Sequence, residues 1–376
     1  HNRCPMSTTA PASVYASRIE RVRAEMSANG VDALVLSVGH DLPYFTGYHA
    51  MPLERLTLLV LLRTGTPVLV IPRLEAPRVV PMPGVFELAP WNETDDPVAL
   101  AHSLLGDART VAVGDQMWSR FLVDLITHRP GTQWVRSVTV TAPLRTRKDR
   151  AEIDALAAAA AAADRVAAQL HAGEIPLVGR TEAQVSADIS ARLIAEGHDK
   201  VNFAIVAAGE NAASPHHHPG DRVIGRGEIV LCDFGGTMNG YCSDITRCVH
   251  TGPVPQDIAR AYEVLKRAQA AGVAAGRLGL ACETVDSVTR AVIDDAGYGE
   301  WFVHRTGHGI GMEEHEDPYM VAGNTEPLAA GHAYSVEPGI YIPGKWGMRL
   351  EDIVVATESG PVALNRADHD LIVVDS

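Results

Sequence analysis

The first part of the chain alternates two hydrophobic periods. From Ser17 to Asn29 the apolar residues Ile19, Val22 and Met26 fall at helical spacing, and the pattern stops at Gly30, which predicts an amphipathic helix. Val31 to Ser37 is then a short apolar run of strand length. Leu56 to Ile71 predicts two buried strands joined at Thr64-Gly65-Thr66, with a further strand near Val85 and a helix after Asp95-Asp96-Pro97. Thr110 to Gly114 and Trp134 to Val140 are expected as strands flanking a helix from Arg120 to His128. This alternation predicts an α/β unit.

The pattern changes between Pro143 and Lys148, where a charged stretch leads into Ala151 to Leu170, a long helix dominated by alanine, the strongest helix former. A domain boundary is placed there, giving an N-terminal α/β domain over residues 8–145 and a C-terminal α+β domain over 146–376. Residues 1–7 read as a disordered or added start ahead of the native fold, since His1-Asn-Arg-Cys-Pro precedes Met6. Thr181-Glu-Ala-Gln184 is a capping box opening a helix that runs to Gly197. A strand (Val201 to Ala207), a strand pair (Ile229 to His250) and two helices (Gln256 to Ala275, Glu283 to Ala296) follow. Further strands complete the chain, and no repeat period is present.

Composition narrows the function classes. With 376 residues and 46% hydrophobic content the chain is long enough for two or three well-packed domains. The 46 acidic against 32 basic residues, net −14, argue against nucleic-acid and acidic-membrane partners. The one basic cluster, Arg145 to Arg150, reads as a solvated helix start. Five cysteines without a CxxC pair suit reduced structural thiols and a cytoplasmic protein; zinc held by Cys232, Cys242 and Cys248 is the alternative. No window approaches the roughly 18 apolar residues of a membrane span.

The chemistry lies in five separate motifs of the second domain: Asp233 in LCDFGG, Asp244 in YCSDITR, His308 in HRTGHGIG, Glu337 in SVEPGIY and Glu351 in MRLED. Four carboxylates balance two divalent cations, and without such partners burying them is costly. Asn239-Gly240 is a preferred two-residue hairpin turn. If Met238 pairs with Tyr241, Asp244 lies opposite Gly235, and Asp233 and Asp244 become diagonal neighbours on one face. Glu337 and Glu351 are expected on strands either side of the loop Pro343 to Gly347, and Gly307 and Gly309 allow close approach at His308. Such oxygen-rich ligands with one imidazole suit Mn²⁺, Co²⁺ or Zn²⁺, and a two-metal site suits amide hydrolysis. Asp233-Phe-Gly235 and Gly307-His-Gly-Ile-Gly311 mimic kinase and dinucleotide motifs but lack their contexts.

At these residues the chain resembles the pita-bread metallopeptidases, prolidase and aminopeptidase P. The resemblance runs from Pro215-His216 to Glu351, and Asp41 to Tyr48 looks like part of the creatinase-like α/β domain these enzymes carry. It implies two divalent ions, most simply Mn²⁺, with Asp233 and Asp244 on one, Asp244 and Glu351 bridging, and His308 and Glu337 on the other. Glu337 is also implied as a proton shuttle. His315 would bind the scissile carbonyl or oxyanion, and His216 and His304 the proline side of the substrate. Arg349 would orient a ligand or bind a carboxylate, and Tyr341 matches a family tyrosine. His217 and His218 read as structural or exposed.

The implied activity is hydrolysis of Xaa-Pro dipeptides by a cytoplasmic homodimer. The close variant is an aminopeptidase P acting on longer peptides; a creatinase-like enzyme without metal and an inactive peptide-binding module are the competing classes. The segment from His315 to Glu337 is short and contains no arginine, unlike the loop that supplies one for the proline carboxylate in eukaryotic prolidases. The tyrosine that aminopeptidase P places before its first aspartate motif is replaced by the neighbourhood of Asn202 and Phe203.

Overall fold

The computed structural model describes residues 10–374; the start assigned to residues 1–7, with Cys4, lies outside them. Contacts divide the chain between Arg145 and Thr146 into two compact units.

The first unit is built on a six-stranded sheet in the order Glu87–Trp91, Val68–Pro72, Leu58–Leu62, Ala33–Leu36, Thr110–Val113, Gln133–Arg136. The central strand Ala33–Leu36 is antiparallel to Leu58–Leu62 and parallel to Thr110–Val113, a mixed sheet whose middle strands are apolar throughout because both faces are covered. One face packs Val35, Val60, Val111, Ala101, Phe121 and Leu125 into a single core. The helix expected from Ser17 begins earlier, spanning Ala12–Ala28. The strand expected to continue to Val140 stops at Arg136, and Val138–Arg145 is helical. Tertiary contacts override the strand preference of Val138-Thr-Val-Thr141: Val140 is buried, and Thr141 and Ser137 donate to Asp41.

The basic stretch is likewise not a solvated helix start. Arg145 pairs with Asp41 at 2.8 Å, and Lys148 is buried in an ion pair with Glu316 at 2.6 Å; Arg150 is the member that stays in solvent.

The second unit opens with the helix Arg150–His171, capped reciprocally by Asp149 and Glu152, and the helix Glu182–Ala195, capped by Thr181 and Gln184. These two pack through Val166, Leu170, Val185 and Ile189 on one face of a sheet ordered Ile372–Val373, Ile245–His250, Ile229–Met238, Lys200–Ala208. The opposite face meets the helix Gln256–Ala275 through Leu231, Cys248, Tyr262 and Leu265. A second sheet runs Glu316–Met320, Gly307–Gly309, Ala333–Val336, Asp352–Thr357, Gly360–Ala363, and a two-stranded ribbon joins Gly339–Ile342 to Trp346–Arg349. The functional motifs lie where these sheets converge.

Candidate metal centre and active cleft

Asn239 and Gly240 have φ of 50° and 82°, the paired positive values of a tight hairpin turn. Met238 pairs with Tyr241 and Thr246 with Asp233, the register the turn predicts. Asp233 and Asp244 therefore share a face. The second carboxylate pair arises from a comparable device: Val336 pairs with Asp352 in one sheet and Gly339 with Arg349 in the ribbon, so Glu337 and Glu351 face each other at the join. Glu351 is also bridged to Thr246, which brings the two pairs together.

His308 enters from the short strand between two glycines. A Cβ on Gly307 would stand 1.8 Å from the Ser335 carbonyl oxygen, and one on Gly309 2.3 Å from that of Asp317, so only glycine lets this strand sit so close to its neighbours. His308 Nδ1 faces the Gly309 carbonyl at 3.1 Å, leaving Nε2 toward Asp244 at 3.6 Å and Glu337 at 3.2 Å. One atom each of Asp244, His308 and Glu351 lie within 4.8 Å of one another.

These carboxylates are short of positive partners. Asp233 accepts from Arg349 Nη2 at 2.5 Å, Glu351 from Thr246 at 2.7 Å and Glu337 from Ser335 at 2.9 Å. Asp233 Oδ1 is buried without a hydrogen-bond partner among the described residues. Burial, followed by the charge of the neighbouring carboxylates, pushes the pKa of Asp244 and Glu351 well above the usual range, and burial raises Asp233 despite Arg349. Burial opposes ionisation of Glu337 too, but the hydrogen bond and charge of His308, followed by His304 and Arg349, draw it down to about 2. Four carboxylates facing one buried arginine, an orphaned oxygen and an imidazole aimed inward form a donor set suited to divalent cations.

Arg349 is the organiser. It is 3% exposed and donates to Asp233, to Thr246 at 3.1 Å, to the Tyr341 hydroxyl at 2.8 Å and to the Pro215 carbonyl at 3.3 Å. Of the two roles left open for it, orienting a ligand is the one these contacts favour. Tyr341 in turn meets His304 Nε2 at 2.8 Å, while His304 Nδ1 faces the Arg305 carbonyl at 2.7 Å. That ring must donate from Nδ1 and accept at Nε2, and burial lowers its pKa, favouring the neutral form. His315 leans over His308 with ring centroids 3.9 Å apart; partial burial, then the neighbouring His308, draws its pKa down.

One cleft of about 580 Å³ is lined by Asp233, Asp244, His308, Glu337 and Glu351, and also by His216, His304, His315 and Arg349. The structure thus brings into one cleft the nine residues expected to hold metal or meet substrate. His217 instead holds the buried Glu182 at 2.7 Å, a structural role. The four described cysteines are buried and free, and burial pushes Cys242 and Cys248 up to about 12. None of them belongs to the ligand group that the described residues bring together, Asp244, His308 and Glu351, so nothing in the structure supports the zinc alternative.

Sequence reasoning missed a support beneath the cleft. Asp286 accepts from the Thr306 amide and hydroxyl, both at 2.9 Å, and from Arg290 at 3.0 Å. Arg290 donates to the Phe302 and His304 carbonyls. The i,i+4 spacing of Asp286 and Arg290 was a visible signal, but it reads equally as a surface helix pair.

Residues 153–358 match metallopeptidase family M24, and residues 18–146 match the creatinase/prolidase N-terminal domain. The chain is 45% identical over 368 residues to a Mycobacterium tuberculosis protein named "Probable dipeptidase PepE", covering 96% of this chain and 97% of that protein. Among solved structures, dipeptidase PepE from Mycobacterium ulcerans has a TM-score of 0.91 at 46% identity, covering 97% of this chain and 99% of the other. The prolidase from Thermococcus sibiricus has 0.90 at 33%, covering 96% and 99%. The X-Pro aminopeptidase from Thermotoga maritima has 0.83 at 27%, covering 95% and 99%.

Proposed function

Because the chain belongs to metallopeptidase family M24, with its pita-bread catalytic fold and creatinase-type N-terminal domain, we propose that it is a dinuclear dipeptidase cleaving Xaa-Pro bonds. The observation that carries this reading is the convergence of four carboxylates and His308 with three further histidines in one cleft. The likeness to proteins named dipeptidase and prolidase supports it. Asp233, Asp244, His308, Glu337 and Glu351 would hold the two ions, Mn²⁺ first, with Co²⁺ or Zn²⁺ as alternatives. When bound, the ions polarise the scissile carbonyl and lower the pKa of the attacking water.

The protein groups handle protons and orientation. Glu337, ionised beside His308, takes the proton released as water adds to the carbonyl and delivers it to the proline nitrogen as the C–N bond breaks. His315, at the open side of the cleft, donates to the oxyanion. His304 is fixed by Tyr341 and Arg349 at the wall where the proline ring would rest, with His216 and the apolar surfaces of Phe203, Ile205 and Pro215 around it.

The test is a metal-titrated assay of Ala-Pro, Ala-Leu and Ala-Pro-Ala. Chelation should abolish turnover and Mn²⁺ restore it; activity indifferent to both would overturn the reading. Preference for Ala-Pro-Ala would instead favour a second reading, an aminopeptidase on longer peptides, in keeping with the Thermotoga maritima likeness. Homodimerisation and a cytoplasmic location complete the proposal, the latter consistent with four free, buried thiols. Among the described residues no helix is long and apolar enough to cross a membrane.

A further inference from the structure

Two arginines line the cleft, Arg349 and Arg305, and they differ in what their guanidinium groups have left to give. Arg349 is buried, and its hydrogen bonds to Asp233, Thr246, Tyr341 and the Pro215 carbonyl occupy four of its five N–H donors. Arg305 has no hydrogen bond or ion pair from its guanidinium among the described residues. Its head group instead lies over the Tyr319 ring, with the guanidinium carbon 4.3 Å from the ring centroid, a contact that restrains the group without using its donors.

The backbone beneath it is fixed on both sides. Arg290 holds the His304 carbonyl at 2.8 Å, His304 Nδ1 holds the carbonyl of Arg305 itself, and Asp286 holds the Thr306 amide. Arg305 is therefore a positioned cation with an open fork, on the wall of a cleft whose other charged groups are mainly acidic: Asp233, Asp244, Glu337, Glu351 and Glu314. With the four ligand carboxylates balanced by two divalent cations, an anionic group entering this cleft finds in Arg305 a guanidinium with donors to spare.

We propose that Arg305 is a specificity-determining residue that binds the C-terminal carboxylate of a dipeptide substrate. This deepens the peptidase reading and rests on it. With the amino-terminal residue at the metal centre and the free carboxylate on Arg305, the cleft measures substrate length by charge, and a peptide extended or amidated at that end loses the anchor.

The experiment compares kcat/KM for Ala-Pro and Ala-Leu with their C-terminal amides in the Mn²⁺-loaded wild type, Arg305→Ala and Arg305→Lys. A charge-assisted pair of this kind corresponds to about 10- to 100-fold. The wild type should favour free acid over amide by that factor, mainly through KM, Arg305→Ala should bring the ratio near one, and Arg305→Lys should keep part of it. A wild type indifferent to amidation overturns the proposal. So does an Arg305→Ala enzyme that loses activity on acid and amide in parallel, because that marks a structural role. Efficient cleavage of Ala-Leu alongside Ala-Pro overturns proline selectivity while the acid-to-amide ratio still judges Arg305; turnover of no dipeptide overturns both.

Discussion

Asp286 should prove indispensable to the site although it touches no proposed ligand. It is 2% exposed, and its Oδ1 receives both donors of Thr306, a residue wholly buried. Thr306 returns its own carbonyl to the Glu337 amide at 2.8 Å, so Asp286 reaches the metal centre through one residue. Asp286→Ala leaves a buried amide and a buried hydroxyl without an acceptor, each costing about 1–3 kcal/mol. Arg290, with a side chain 31% exposed, can turn toward water, so its lost ion pair adds about 1 kcal/mol or less. The expected destabilisation is therefore about 2–7 kcal/mol for Ala. Asp286→Asn keeps a neutral acceptor for Thr306 and should cost about half as much, since charge-assisted bonds are roughly twice as strong as neutral ones. Urea unfolding of the full chain reads the global effect, and hydrogen exchange at the Thr306 amide reads the local one. Displacement of Glu337 should also weaken metal binding about 10- to 100-fold, the usual scale for groups that orient ligands. Loss below about 1 kcal/mol for the alanine variant, with Thr306 protection intact, would refute the account.

Three further outcomes follow from the same geometry. Glu337→Gln should lower kcat by about 10²–10⁴, measured at saturating Mn²⁺ to separate proton relay from ion loss; near-normal turnover removes the relay. Gly307→Ala puts a Cβ 1.8 Å from the Ser335 carbonyl oxygen, and thermal unfolding should show a loss of about 3 kcal/mol or more; a variant with unchanged Tm contradicts the packing argument. His332 is 1% exposed, and burial, then the charges of Lys148 and Arg147, draw its pKa from 6.5 to about 4. Between those values the unfolded chain binds a proton that the folded chain refuses, so stability is retained above the upper value and falls as pH drops. The loss reaches about 3 kcal/mol by the lower one, and His332→Gln should flatten that slope in denaturation measured across the window.

What could be read from the sequence depended on how local the deciding interaction was. Asn239-Gly240 fixes a register by its own backbone preference, so the shared face of Asp233 and Asp244 was legible from a dozen consecutive residues. The helix starts at Asp149 and Thr181 were equally local, each closed by a side chain three residues on. Val138 to Arg145 was not, because its helix is held by Asp41 about a hundred residues away. A still longer separation, 168 residues, hid the buried state of Lys148, whose partner Glu316 stands between the His308 and Glu337 motifs. Glu337 and Glu351 required two registers in two different sheets, which no turn in the chain announces. Arg305 shows the limit most clearly: its neighbours in HRTGHGIG marked it as part of a motif, but its significance lies in its having no ionic partner among the described residues of the folded chain. A residue's unused bonding capacity is a property of the folded state alone. Where Arg349 and Arg305 look alike as letters, their surroundings separate a cation that holds the site together from one that is free to meet a substrate.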